Sequence, residues 1–214
     1  MTEEEARAWL RNAFDVSRET WDRLEAYVAI LLDEMTRQNL IAESTRDQVW
    51  ARHIVDSAQL LRLAPEPQPG RDIWADLGAG AGLPGMVVAI LSGWRVVMIE
   101  MRRKRIDFLT AVIDRLKLTN ASVFAGKVEN ASLEGRTKAA VISARAYAPM
   151  ERLVASAIHL TDFSTIWLLP KGQNHKNELD IARRLWHSDV KVEQSLTAPE
   201  SAILVLNNVR ARRG

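Results

Sequence analysis

A glycine-rich segment directly behind an apolar run most restricts what this chain can fold into. The segment is ADLGAGAGLPG, residues 75–85, with four glycines and one proline. Glycines let a main chain approach a ligand closely and take backbone angles closed to other residues. In open parallel sheets, ligands bind beyond the carboxyl ends of the strands, where the strand order reverses. The segment therefore predicts a strand, a ligand-binding turn and a helix that begins at Pro84.

Short apolar runs alternate with helical segments after residue 70. The predicted strands are IWADLG (73–78), RVVMIE (95–100), ASVFAG (121–126), AAVISAR (139–145), STIWLLP (164–170), VKVEQSL (190–196) and AILVLNNV (202–209). The predicted helices span 84–91, 103–116, 150–159 and 177–187. This alternation predicts an α/β fold with a seven-stranded, mostly parallel, doubly wound sheet. Only TAPES joins the last two strands, so we expect them to form an antiparallel hairpin.

The first 63 residues have a helical pattern. Apolar residues recur at steps of three and four between Leu24 and Met35, which predicts one buried helix face. A second helix is expected from about Thr45 to Leu63. The segment APEPQPG, residues 64–70, carries three prolines and cannot continue a helix. We therefore expect a helical N-terminal extension (1–63), a linker (64–70) and a Rossmann-like domain (71–214).

Composition excludes several classes of chemistry. The chain has no cysteine, which excludes disulfides, cysteine-based zinc sites and the thiolate that pyrimidine-carbon methylation usually needs. Its four histidines lack ligand spacing, so no metal is expected. The start, MTEEEARAWL, is acidic and resembles no secretory signal, which predicts a soluble, cytoplasmic protein without a membrane segment. Clustered basic residues, such as MRRKR at 101–105 and the tail VRARRG, suit a polyanionic partner.

The glycine segment fits two cofactor classes. Gly80, Gly82 and Gly85 match the GxGxxG dinucleotide fingerprint, and Glu100 follows about 20 residues later as that fingerprint requires. The other register, Asp76-x-Gly78-x-Gly80-x-Gly82, fits a loop around S-adenosylmethionine. In that register Asp76 lies near the amino acid end of the cofactor and Glu100 accepts hydrogen bonds from its ribose. The segment alone leaves both open.

Features outside the segment favour methyl transfer. The first strand follows a helical extension, a C-terminal hairpin is expected, and the chain has no separate substrate domain for a dehydrogenase. We therefore expect a Rossmann-like class I S-adenosylmethionine-dependent methyltransferase, with a dinucleotide-dependent oxidoreductase as the alternative. A non-catalytic RNA-binding module is a third possibility.

Several longer motifs resemble one family. LIAESTRDQVWARHIVDS, DLGAGAGLPGMVVAI, IEMRRKRIDFL, KVEN, SARAYAPMERLV and LPKGQ occur in the order found in the bacterial RsmG family, also called GidB. The resemblance covers about Gln38 to the C-terminus. It implies a small-subunit (16S) ribosomal RNA methyltransferase that modifies guanine at N7. The partner is then ribosomal RNA or an assembling small subunit, and a monomer is the default expectation.

The resemblance also implies site residues. Gly78, Leu83, Val128 and Glu129 match cofactor-contacting positions, and Arg145 matches an arginine beside the cofactor and the target base. Arg145 is thus the candidate catalytic residue. Arg52, His53, Lys104, Arg105 and Lys171 match recurrent positions expected at the RNA-facing rim. Ala140 stands where the family often has an aspartate, so no carboxylate role is expected at that position.

The reaction implied by the resemblance needs no reactive side chain. Guanine N7 carries an in-plane lone pair and no proton, so alignment with the methyl donor supplies most of the rate. N7 faces the narrow major groove of A-form RNA, so we expect a target in a loop or an opened helix. Arg102, Arg103, Lys104 and Arg105 could grip the RNA backbone. Arg145 or Tyr147 could contact the guanine.

Overall fold

A seven-stranded sheet organises the computed structural model, which describes residues 1–212 apart from the side chain of Arg136. The end of the predicted C-terminal domain and of the basic tail, residues 213–214, lies outside the described residues. In spatial order the strands are β3-β2-β1-β4-β5-β7-β6. Their bounds are β1 Ile73–Leu77, β2 Arg95–Glu100, β3 Ala121–Ala125, β4 Val141–Ser143, β5 Ile166–Lys171, β6 Trp186–Gln194 and β7 Ala202–Ala211.

The pairing confirms the predicted fold class. Strands β1 to β5 pair in parallel with one another. Strand β7 is antiparallel to both β5 and β6, so the last two strands form the expected hairpin. The order reverses between β1 and β4, and this reversal is where an open sheet binds its ligand.

Helices cover both faces of the sheet. They are α1 Glu3–Phe14, α2 Arg18–Glu34, α3 Val55–Ala58, α4 Gly85–Leu91, α5 Arg103–Leu116, α6 Met150–Ala157 and α7 His175–Ala182. The N-terminal helices share one hydrophobic core with α4, α5 and one sheet face. A second core lies between the other face and α6 and α7. The N-terminal extension is therefore packed directly onto the Rossmann-like sheet.

The second helix, predicted from about Thr45 to Leu63, occurs as an uninterrupted helical run from Glu43 to Arg62, but the type of helix changes along it. This stretch contains a 3₁₀ segment (Glu43–Gln48), a π-helical segment (Trp50–Ile54), the single turn α3 and a further 3₁₀ segment (Gln59–Arg62). The carboxylate of Glu3 accepts hydrogen bonds from the backbone amides of Trp50 (3.1 Å) and Ala51 (2.8 Å). This tertiary contact holds the start of the π-helical segment.

The predicted boundary before β6 is wrong. The helix expected at 177–187 ends at Ala182, and β6 begins at Trp186. Trp186 pairs with Ala211 and His187 pairs with Arg210 across the hairpin. Pairing with a distant strand thus overrides the local helical pattern.

Two further properties bear on function. No helix within residues 1–212 combines the length and hydropathy of a transmembrane span. Likewise, this part of the chain brings together no group of three or more histidine and acidic side chains suited to a metal ion.

Candidate functional site: two cavities that share a wall

The glycine segment forms a tight loop after β1. Gly78, Gly80 and Gly82 have φ values of 63°, 57° and 87°, in the left-handed region that favours glycine. The amides of Gly78 and Ala79 donate to the carbonyl of Ile99 at the end of β2. These bonds fix the loop to β2. Because three of its residues are glycines, much of its backbone is not covered by side chains.

The carboxylate of Asp76 stabilises this loop through hydrogen bonds. Its Oδ2 accepts from the amide of Gly85 (2.9 Å), and its Oδ1 accepts from the hydroxyl of Ser143 (2.7 Å). The side chain is fully buried, and burial raises the pKa of Asp76 to about 7. The sequence predicted Asp76 beside the amino acid end of a cofactor. In the structure its oxygens face protein groups and do not line a cavity.

Gly82 and Leu83 also face the protein interior. A Cβ on Gly82 would lie 3.0 Å from Leu109 Cδ2, and Leu83 is buried in the N-terminal core. From α2, the hydroxyl of Tyr27 donates to the carbonyl of Ala81 (2.8 Å). The second half of the loop thus packs against helices, while Gly78 remains at a cavity wall.

The first cavity has a volume of about 340 Å³. Its walls are formed by Gly78, Ile99, Glu100, Met101, Arg102, Arg105, Gly126, Lys127, Val128, Glu129, Ala146 and Tyr147. Four of the predicted cofactor residues, Gly78, Glu100, Val128 and Glu129, therefore meet here. They come from the carboxyl ends of β1, β2 and β3, which the parallel sheet places at one edge.

Glu100 is held rigidly at the wall of the first cavity. Its Oε1 accepts from the amides of Met101 (2.8 Å) and Arg102 (2.9 Å), and its Oε2 accepts from Gly80 (3.0 Å). The guanidinium of Arg105 lies 3.8 Å from the same Oε2. Because the backbone fixes the carboxylate, its remaining lone-pair directions are preorganised for hydroxyl donors.

The second cavity is larger and lies next to the first. Its volume is about 520 Å³, and it shares Ala146 and Tyr147 with the first cavity. Its other walls include Thr45, Arg52, His53, Asp56, Arg145, Lys171, Glu178 and Thr197. Tyr147 lies against the glycine loop so closely that a Cβ on Gly78 would meet its Cδ2. The ring of Tyr147 is thus part of the partition between the cavities.

Arg145 is anchored by the N-terminal extension. Its Nη2 lies 3.0 Å from His53 Nδ1, and its Nη1 lies 3.3 Å from Asp56 Oδ2. Asp56 Oδ1 in turn accepts from the hydroxyl of Thr197 (2.8 Å) in the hairpin loop. The helical segment with His53 and Asp56, supported by the hairpin loop, therefore fixes the guanidinium of Arg145 at the second cavity.

The hydrogen bonds of His53 define its tautomer. A guanidinium only donates, so Nδ1 accepts from Arg145 and the ring proton lies on Nε2. Nε2 then donates to Thr45 Oγ1 (2.8 Å), whose hydroxyl donates to the carbonyl of Ala42 (2.8 Å). Burial, with Arg145 and Arg52 nearby, lowers the pKa of His53 to about 3. His53 is therefore a neutral, buried residue in the wall of the second cavity, whereas the sequence predicted it at the RNA-facing rim.

The predicted RNA-binding residues fall into separate groups. Arg52 and Lys171 line the second cavity, and Arg102 and Arg105 line the first. Arg103 pairs with Asp107 on the exposed side of α5, and the neighbouring Lys104 is also exposed, so this pair of basic residues lies outside both cavities.

Sequence reasoning missed several polar residues of the second cavity, among them Asp56, Glu178 and Thr197. Asp56 follows His53 by three residues in RHIVDS, and this helical spacing was the available indication that both face one partner. Glu178 and Thr197 lie in α7 and the hairpin loop, and no local pattern connects them with the glycine loop.

Comparisons with known proteins show which family this chain matches. The family described as rRNA small subunit methyltransferase G matches residues 20–204. Ribosomal RNA small subunit methyltransferase G of Zymomonas mobilis subsp. mobilis is 42% identical, covering 100% of this chain and 97% of its own. The protein of that name from Rhizorhabdus wittichii is 46% identical, covering 99% and 95%. These matches do not support the alternative of a dinucleotide-dependent oxidoreductase.

Solved structures share the fold at low sequence identity. A point mutant of MtNAS in complex with S-adenosylmethionine superposes with a TM-score of 0.58 at 16% identity, covering 86% of this chain and 75% of that one. A SAM-dependent methyltransferase from Aquifex aeolicus gives a TM-score of 0.56 at 11% identity, covering 74% and 91%. At these identities the likeness concerns the fold alone.

Proposed function

This chain belongs to the rRNA small subunit methyltransferase G family, and we propose that it transfers the methyl group of S-adenosylmethionine to N7 of a guanine in small-subunit (16S) ribosomal RNA. The single observation that carries the proposal is the pair of adjoining cavities. One is built on a bare glycine loop and a fixed carboxylate, and the other has basic residues in its wall.

The first cavity suits S-adenosylmethionine. A Cβ at Gly78 would collide with the ring of Tyr147, so the ring can pack against the loop at this wall only because the residue is glycine. The fixed carboxylate of Glu100 would accept hydrogen bonds from ribose hydroxyls, and Val128 and Glu129 would flank the adenine. When bound, S-adenosylmethionine supplies a methyl group activated by its sulfonium sulfur.

The second cavity suits a nucleotide. Arg52, Arg145 and Lys171 give it three cationic side chains. Arg145 pairs with Asp56 and Lys171 with Glu178, so Arg52 is the cation that would balance phosphate charge.

Arg145 is the proposed catalytic residue: it lines the second cavity just after β4, next to the partition residues Ala146 and Tyr147, where it would lie beside the base and near the cofactor. Asp56 and His53 hold the guanidinium so that it need not be ordered when substrate binds.

The chain's own residues would contribute alignment and not proton transfer. Guanine N7 has no proton to lose, so attack on the methyl group needs no general base. His53 fits this scheme because its only unprotonated nitrogen already accepts from Arg145. The partition around Tyr147 would then define where the target base meets the methyl donor.

Mapping of ribosomal RNA modifications tests the proposal. Small-subunit rRNA from cells with and without this protein is analysed by mass spectrometry, and we expect one N7-methylguanine to be absent without it. Arg145→Ala should abolish restoration of that modification, whereas Arg152→Ala, at an exposed position of α6, should restore it. An unchanged modification map would contradict the proposed function. Retained methylation by Arg145→Ala would contradict the role of Arg145.

Calorimetry tests the cofactor separately. We expect binding of S-adenosylmethionine and none of NAD. Tight binding of NAD without binding of S-adenosylmethionine would overturn the assignment of the first cavity. In the same proposal the protein acts in the cytoplasm as a monomer, on free rRNA or on an assembling small subunit. Assays on both substrates and light scattering distinguish these cases.

A further inference from the structure

A lysine–glutamate pair lies in the wall of the second cavity. Lys171 ends β5, Glu178 lies in α7, and Nζ of Lys171 is 2.7 Å from Oε2 of Glu178. The two side chains are only 11% and 24% exposed. Lys171 also donates to the carbonyl of Ala148 (3.2 Å). We propose that Glu178 and Lys171 read the Watson–Crick edge of the target guanine, an inference that rests on the proposed function.

The pair offers the polarity that guanine requires. Along that edge guanine presents an acceptor, O6, and then two donors, N1–H and N2–H. A lysine ammonium has three donors, and Lys171 uses two of them on Ala148 and Glu178. The third is available for O6. A carboxylate only accepts, so Glu178 can receive the protons of N1 and N2.

Glu178 keeps acceptor capacity for such a ligand. Its Oε2 accepts from Lys171, while its Oε1 has no hydrogen-bond partner among the residues that the structure describes. This oxygen is not one of the buried polar atoms that lack a partner, so it is accessible in the cavity and free to accept from a ligand. The base edge of a bound guanine would supply a donor inside the cavity.

The protein groups in the cavity wall follow one another in the same order as the guanine atoms that they would contact. From the partition at Tyr147, the chain continues to Ala148, whose carbonyl contacts Lys171, which in turn contacts Glu178. Around guanine the corresponding order is N7, O6, then N1 and N2. With O6 at Lys171 and the donors at Glu178, N7 points toward the partition and the first cavity.

Adenine would be rejected by the same pair. It carries an amino donor where guanine has O6 and an acceptor at N1, so it would place a donor against Lys171 and an acceptor against Glu178. Both contacts would be repulsive, and neither side chain would gain a hydrogen bond from the base. A site built on hydrogen bonds discriminates strongly for this reason.

The test asks whether Glu178 recognises the 2-amino group of the target guanine. The wild-type enzyme first methylates natural small subunits, which maps the target guanine. Small subunits are then reconstituted with guanine or inosine at that nucleotide. Inosine keeps N7, O6 and N1–H but lacks the 2-amino group. We expect the wild-type kcat/KM to fall about tenfold or more on inosine.

Variants at position 178 complete the cycle. In Glu178→Ala and Glu178→Gln, kcat/KM on guanine should fall by a similar factor, and the preference for guanine over inosine should approach one. KM for S-adenosylmethionine should not change. Asp180→Ala, at an exposed carboxylate on the same helix, should keep the wild-type preference.

Two results would overturn the inference. The first is equal wild-type activity on guanine and inosine, which needs no variant to fold. The second is a lower activity of the Glu178 variants with an unchanged base preference, which would assign the pair to support of the loop at Ala148. Failure of the wild-type enzyme to methylate any guanine is a different outcome and contradicts the proposed function itself.

Discussion

The guanidinium of Arg145 and the imidazole of His53 are joined at 3.0 Å, Nη2 to Nδ1, across 92 positions of sequence. The contact links the end of β4 to the helical segment at 50–58. It makes His53 an acceptor and uses the nitrogen that could otherwise take a proton. The two residues thus form one unit whose purpose is to place a positive charge at the second cavity.

Asp56→Asn should reduce methyl transfer without unfolding the protein. The substitution weakens the ion pair with Arg145, so the guanidinium is held less firmly, and we expect kcat/KM to fall about tenfold. Methylation of small subunits and thermal unfolding measure the two effects. Asp47→Asn, at an exposed position in the same region, is the matched control. Equal activity of both variants would show that Arg145 does not need this anchor.

His53 should make stability depend on pH. Its pKa is about 3 in the folded chain and near 6.5 when unfolded, so below pH 6.5 the unfolded state binds the extra proton. The stabilisation is therefore complete above pH 6.5 and is lost as the pH falls toward 3, at about 1.4 kcal/mol per pH unit. Asp76, with its raised pKa, acts in the opposite direction below pH 7.

A comparison with His53→Gln isolates this effect because Asp76 is common to both proteins. Urea unfolding at several pH values gives the difference in free energy of unfolding between them. That difference should shift against the wild type by about 2 kcal/mol between about pH 7.5 and 5. A difference that stays constant over this range would mean that His53 is not buried as a neutral ring.

Gly78→Ala should impair cofactor binding. A Cβ there would collide with the ring of Tyr147, and φ of 63° is strained for alanine. We expect at least about tenfold weaker binding of S-adenosylmethionine by calorimetry. Gly93→Ala is the control, since a Cβ there meets only Pro67 at 3.8 Å. Unchanged affinity of Gly78→Ala would remove the loop from the cofactor site.

Tyr147 should act through its ring and not through its hydroxyl. The hydroxyl lies 3.5 Å from Ser156 Oγ, a weak contact, whereas the ring closes the partition between the cavities. Tyr147→Phe should keep kcat/KM within about twofold of wild type, and Tyr147→Ala should lower it about tenfold or more. Steady-state kinetics with small subunits decides this, and an equal loss in both variants would assign the role to the hydroxyl.

Glu3→Ala should destabilise the segment that carries His53 and Asp56. It removes two hydrogen bonds to the amides of Trp50 and Ala51, and we expect a loss of about 1 to 2 kcal/mol in free energy of unfolding. Glu4→Ala removes a neighbouring, exposed carboxylate from the same helix turn and controls for the helix dipole. If urea unfolding gives equal losses for the two variants, the tertiary contact contributes nothing.

Elements with strong local periodicity could be predicted from the sequence. Strand β2 at Arg95–Glu100 and helix α5 at Arg103–Leu116 occur with the predicted bounds. Each has an uninterrupted apolar pattern and clear flanking residues. The glycine loop and Glu100 were also predicted together, because parallel strands carry their carboxyl ends to one edge.

The predictions failed where contacts between residues far apart in the sequence determine the local structure. The stretch at 45–63 is helical as predicted, but its change from 3₁₀ to π-helical geometry was not predicted, and Glu3 holds the amides of Trp50 and Ala51 at that point. Trp186 extends β6 because it pairs with Ala211. Likewise the burial of Asp76 and of His53 depends on packing between segments far apart in the chain, which a single sequence does not reveal.

The bond from the Tyr27 hydroxyl to the Ala81 carbonyl has a consequence for how such a chain can be shortened. It crosses from the second helix to the turn that would hold the methyl donor, just as Asp56 crosses to Arg145. An excised fragment from residue 71 onward would lose both supports at once, in addition to the helices that cover one of its two cores. A relative without these N-terminal helices would need another hydroxyl to bind the carbonyl of the turn and another carboxylate to pair with the arginine.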